Sequence, residues 1–182
     1  MAHELTTAYL KDSISLFRYY KNLAERAMGQ CPDEGLFTVL DAESNSIAII
    51  VKHLSGNMRS RWTDFLTTDG EKENRNRDGE FERPCRTRAE LYDLWDSGWN
   101  CLFAALDPLE EADLAKTVTI RGEPHSVMQA VNRQTAHYPY HVGQIVYLAR
   151  HYTGATWKSL TVAKKQSAQF NADIAAGEKS QR

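Results

Sequence analysis

The sequence predicts an all-α protein, a four-helix bundle, on three observations. Four long stretches repeat apolar side chains at three- and four-residue steps, the period of a helix with one buried face. The connections between them differ widely in length, and one short run, residues 116–120, alternates as a strand would. Bundles of this kind commonly house metal ions between facing helices. At 182 residues and 20.7 kDa the chain suits a single domain, expected over residues 1–176, with a polar tail at 177–182.

The first helix is expected over residues 2–28, where Leu5, Tyr9, Ile14, Leu16, Phe17, Tyr20, Leu23, Ala24 and Ala27 recur at helical spacing and Gly29 ends the run. Residues 31–35 read as a turn, followed by a short apolar piece at 36–40. The second helix is expected to start near Glu43 or Ser44 and to reach about Leu66, with Ile47, Ile50, Val51, Leu54 and Met58 as its buried stripe. Residues 67–84 show no apolar periodicity and nearly balanced charge, so they read as a long loop, either a solvated connection or a lid. Phe81 is the residue expected to tether it. Thr87 and Glu90 have capping-box spacing and open the third helix, whose inner face is Leu91, Leu94, Trp95, Gly98, Leu102, Ala105 and Leu106.

Asp107 and Pro108 close that helix. The alternation at 116–120 meets Arg121-Gly122-Glu123-Pro124, which reads as the turn of a short β-hairpin or extended bridge before the last long helix. That helix, capped near His125 or Ser126, contains Pro139, which lacks a donor and costs about 3 kcal/mol in a helix interior. A break at Tyr138 and a kinked, continuous helix are the two outcomes; packing on both sides favours continuity. A polar helical tail is expected over residues 162–176.

Composition excludes several classes of partner. Lys+Arg 22 against Asp+Glu 24 leaves a formal net charge of -2, which gives no reason to expect nucleic acid. Mean hydropathy is -0.55 and no apolar run approaches the length of a membrane span, so no membrane association is expected. Cys31, Cys85 and Cys101 are odd in number and show no C-x-x-C spacing, which points to free thiols in a reduced, cytoplasmic setting.

The chemistry-bearing signal is His137 and His141 in the last long helix. Residues four apart on a helix share a face, with Cβ atoms about 5 to 6 Å apart, so two imidazoles can meet on one ion. Zinc-type ions take three or four ligands. His53 is the other histidine deep inside an apolar helical pattern, and Asn57 and Arg61 follow it at i+4 and i+8. His3, His125 and His151 lie near helix ends and read as surface residues. Gln134, Gln144 and Asn57 are spaced to hold the far ring nitrogen of a ligating histidine, to touch substrate, or to bond between helices. Arg75 and Arg77 can clamp a substrate carboxylate if the loop covers the site. Tyr138, Tyr140, Trp62 and Trp95 read as core packing ahead of substrate stacking, and the cysteines as packing residues ahead of nucleophiles.

Taken with Ser44-Asn45-Ser46-Ile47, His53-Leu54-Ser55-Gly56-Asn57-Met58, residues 75–81 and His141-Val142-Gly143-Gln144-Ile145-Val146-Tyr147, the three-histidine layout resembles the DinB/YfiT-like superfamily of metal-dependent enzymes, and within it a bacterial subfamily of unknown function. The resemblance implies an up-down-down-up bundle, a divalent metal held by His53, His137 and His141, and often a homodimer. Better-studied relatives use the metal with a low-molecular-weight thiol, as bacillithiol S-transferases or a mycothiol-dependent isomerase, so the resemblance implies thiol-linked chemistry, although the narrower subfamily has no assigned reaction.

Three imidazoles around zinc or nickel leave a coordination position open, as catalytic sites do. That position suits a small thiol that attacks an electrophile, or a water in a hydrolase. Hydrolysis calls for a nearby general base, and neither histidine motif has an adjacent Asp or Glu, so transfer to a small-molecule substrate ranks ahead. A metal-binding or stress-associated module without turnover, and a helical dimer with structural histidines, are the remaining readings.

Overall fold

The computed structural model describes residues 5–82 and 85–179 and is predominantly helical. Helices α1 (Leu5–Met28), α2 (Asp33–Phe37), α3 (Ile47–Trp62) and α4 (Arg88–Leu106) are followed by strands β1 (Thr117–Ile120) and β2 (Glu123–Ser126), then α5 (Val127–Thr153) and α6 (Ser167–Ala175). Single 3-10 turns at Asp78–Phe81 and Glu111–Ala115 interrupt the connections. Among the described residues no helix is long and apolar enough to cross a membrane. His3, Arg83, Pro84 and the last three residues of the expected tail lie outside the described residues.

Two pairings organise the core: α3 packs along α4, and α1 packs along α5, with α3 meeting α5 across the middle. The stripe Ile47, Ile50, Val51, Leu54 and Met58 is buried as its spacing requires, and so are Leu91, Trp95, Leu102 and Leu106 on α4. Close approach of α3 and α4 depends on Gly98, where a Cβ would sit 2.8 Å from the Ser55 Cα. Phe17, Trp99 and Tyr138 interlock at the centre, with ring centroids 5.7 to 6.4 Å apart.

Caps set the helix ends. Thr87 accepts from the Glu90 amide while Glu90 reaches back to the Thr87 amide, the capping box expected from sequence. Ser126 and Gln129 form a second box at the start of α5. The start of α3 differs from expectation: Ser46, two residues beyond Ser44, is the cap, accepting from the Ile49 amide, and the helix ends at Trp62 rather than near Leu66. Residues 33–37 form a short helix where a turn and an apolar piece were expected, because Pro32 supplies the extended residue before its first turn. The polar tail is helical only over Ser167–Ala175.

The hairpin forms in the expected place, closed by Arg121 and Gly122, both with positive φ (56° and 77°), the two-residue turn whose twist suits antiparallel strands. Asp69 holds that turn, accepting from the backbone amides of Arg121 and Gly122 at 2.8 Å each. Helix α5 runs through Pro139 without interruption, so His137 and His141 stay one turn apart on the same helix.

Candidate metal centre

Helices α3 and α5 bring His53, His137 and His141 into one cluster, in which one ligand atom from each lies within 4.8 Å of the others. The His137 Nε2 is 3.4 Å from the His53 Nε2 and 3.1 Å from the His141 Nε2. Two nitrogens sharing a tetrahedral ion at ordinary zinc–imidazole bond lengths stand about 3.3 Å apart. His53 is buried and the other two are half-buried.

The opposite ring nitrogens decide what the cluster can do. His53 Nδ1 donates to Glu80 Oε2 at 2.9 Å, His137 Nδ1 to Gln134 Oε1 at 3.3 Å, and His141 Nδ1 to Gln144 Oε1 at 2.8 Å. An acceptor oxygen at each Nδ1 places the ring proton there, so all three Nε2 lone pairs face inward. Three lone pairs at this separation repel unless a cation lies between them. The residues therefore fit a divalent ion. Burial, and then the nearby His141 and His53, push His137 down to about 3. Burial also lowers His141, against the opposing pull of Gln144. Neutral imidazole is the ligating form.

Glu80 is the residue that sequence inspection missed. It sits 27 positions from His53, on a loop without apolar period, yet its carboxylate is buried against α3. Arg75 grips it bidentately, Nε to Oε1 at 2.8 Å and Nη2 to Oε2 at 2.9 Å, and also bonds Glu71. Burial would raise the Glu80 carboxyl, but the hydrogen bonds from His53 and Arg75 outweigh it and hold the group below the usual range. Gly56 makes the room: a Cβ there would meet Glu80 Oε1 at 2.3 Å. A glycine in the interior of an otherwise well-formed helix was the available signal.

Other expectations are redistributed. Arg75 is occupied by the protein's own carboxylates and is not free to clamp a substrate, because Glu71 and Glu80 fold back onto it. Arg77 lies over the Phe81 ring, 5.4 Å from its centroid, on the cavity side. Phe81 does tether the loop, stacked on His53 at 4.8 Å between centroids. Asn57 does not support a histidine; its Oδ1 accepts from the Tyr138 hydroxyl at 3.2 Å, which accepts in turn from Trp62 Nε1 at 3.0 Å. Tyr140 is 64% exposed rather than core, since its position on α5 turns it away from the helices. His125 is half-buried, its Nδ1 near the Glu123 carbonyl, whereas His151 is exposed.

A cavity of about 600 Å³ opens beside the cluster, lined by His53, His137, His141, Phe81, Gln134 and Tyr140 together with several arginines. The three cysteines are free thiols outside that lining; burial raises Cys31 to about 11.

Fold and site together define a helical protein with a three-histidine centre suited to a divalent cation. The family described as protein of unknown function (DUF1572) matches residues 4–166, and the chain belongs to that family. No curated protein and no solved structure matches the chain.

Proposed function

We propose that this protein is a divalent-metal-dependent enzyme of the DinB/YfiT type, its four long helices forming the up-down-down-up bundle of that superfamily. The observation that carries the reading is that each of the three Nδ1 atoms lies within hydrogen-bond distance of its own acceptor oxygen while the ligand atoms of the three rings gather within 4.8 Å of one another beside a cavity. Zinc and nickel match an all-imidazole donor set.

A divalent ion held by His53, His137 and His141 would supply Lewis acidity there and would favour the thiolate form of a thiol bound to it. The chain's own residues orient and exclude. Glu80 and the two glutamines fix the rings, and Phe81 covers one side of His53. Glu80 offers no general base to the cavity, since both its oxygens are taken by Arg75 and His53. Nor does a cysteine of the chain line the cavity. These two features favour an external small thiol as nucleophile over activated water, and thus S-transfer over hydrolysis.

The test has two parts. Untagged protein is analysed for metal by plasma mass spectrometry beside His137→Ala; about one ion per chain, lost in the variant, is expected. Metal-loaded protein is then incubated with bacillithiol, glutathione or coenzyme A and a generic electrophile. A thiol-dependent rate no greater than that of metal-free protein defeats the transferase reading and leaves the metal site standing.

A further inference from the structure

The cavity beside the histidines is lined by five arginines, Arg61, Arg75, Arg77, Arg121 and Arg133, and by no aspartate or glutamate among the described residues. Two are already matched: Arg75 by Glu80 and Glu71, and Arg121 by Glu71 at 3.3 Å. The others are poorly compensated. Exposed Arg133 makes no hydrogen bond or ion pair with any described residue. Among the described residues Arg77 has a single carboxylate partner, Asp78 at 4.0 Å, beside its contact with the Phe81 ring.

Arg61 is the decisive case. It is 4% exposed, and its Nε and Nη1 have no hydrogen-bond partner among the described residues. The nearest carboxylate is Glu71 at 3.8 Å, already shared by Arg75 and Arg121. A guanidinium withdrawn from water without a dedicated counter-charge is unfavourable, and an anion entering the cavity would supply one.

Helix spacing puts this charge in line with the metal centre. Arg133, His137 and His141 follow one another at four-residue steps on α5, as His53, Asn57 and Arg61 do on α3. At 1.5 Å rise per residue, Arg133 lies about 6 Å along its helix from His137, and Arg61 about 12 Å along its own from His53. The planar fork of arginine matches carboxylate and phosphate oxygens.

We infer that this end of the cavity is an oxyanion subsite, where Arg61 and Arg133, with Arg77 at the rim, bind a carboxylate or phosphate carried by the small molecule whose reactive end reaches the three histidines. Only the identity of that reactive end rests on the metal-enzyme reading. The subsite itself stands on the arginines.

The experiment is calorimetric titration of the full chain with inorganic phosphate and with succinate, first metal-free and then with one equivalent of zinc, at low and high salt. Saturable binding at one per chain is expected in the metal-free protein, weakened about tenfold or more by Arg133→Gln and by Arg61→Gln. The exposed Arg26→Gln, outside the cavity, should leave it unchanged. Whichever probe binds tighter names the oxyanion. Should Arg61→Gln fail to fold by circular dichroism, Arg133→Gln alone decides. Absence of saturable binding overturns the inference, and so does equal affinity in Arg133→Gln. Binding that appears only with zinc and ignores Arg133→Gln would place the anion on the ion, which overturns it too. His137→Ala separates the two readings: it should abolish metal binding and retain the anion.

Discussion

Glu80 and His53 are joined by a 2.9 Å hydrogen bond from Nδ1 to the carboxylate, so a loop residue sets which nitrogen of a helix residue faces the other two histidines. Glu80→Gln can still accept, but without the charge that strengthens the ligand. Metal affinity is expected to fall roughly 10- to 100-fold, as for other outer partners of ligating histidines. Competition with a chromophoric chelator measures this, and an unchanged affinity would show that the contact is only packing.

Gly56→Ala offers an independent approach to the same contact. Alanine favours the helix by about 1 kcal/mol over glycine, yet its Cβ would displace Glu80. Weaker metal binding without a gain in Tm is the expected outcome; a tighter, hotter protein would mean that the carboxylate moves at no cost.

Arg75→Ala leaves the buried Glu80 carboxylate without its bidentate partner. A loss of about 3 kcal/mol or more is expected from breaking a buried pair. At roughly 2 to 4 °C per kcal/mol for a chain of this size, Tm should fall on the order of 10 °C. Arg77→Ala, at an exposed position, should leave Tm nearly unchanged.

Tyr138→Phe removes the hydroxyl that links Trp62 to Asn57 and strands both buried groups. Each unsatisfied group costs about 1 to 3 kcal/mol. Thermal melts should register the loss while metal stoichiometry stays at the wild-type value.

His137 titrates far lower folded than unfolded, where its pKa is near 6.5. The unfolded chain therefore binds the extra proton. The contribution of this residue to stability is fully present above about 6.5 and drains away as pH falls from there toward about 3. The depressed Glu80 carboxyl acts in the same sense at the acid end. Metal-free protein should melt lower at pH 5 than at pH 7.5, and His137→Gln should flatten that difference.

Local signals made much of this legible in the chain. Capping pairs such as Thr87 with Glu90 are contiguous, and the apolar stripe of α3 repeats at a fixed step, so both can be read without knowing what they pack against. His137 and His141 share a helix, and their spacing alone carries their geometry. Glu80 could not be read in the same way, because its place depends on a loop folding over a glycine 24 residues earlier. The burial of Arg61 was hidden for a related reason: its i+8 step from His53 was visible, but whether a carboxylate would come to meet it depended on how Arg75 and Arg121 divide Glu71 between them. Tyr140 shows the converse error, an aromatic in an apolar run that lines the cavity, largely exposed, instead of joining the core.

The stacking of Phe81 on His53 and the seating of Glu80 over Gly56 have a practical corollary for protein engineers. Transplanting three imidazoles onto another helical scaffold would leave the first of them free to spin. The smallest portable unit is the pair of helices together with the connecting segment that wedges that ring in place.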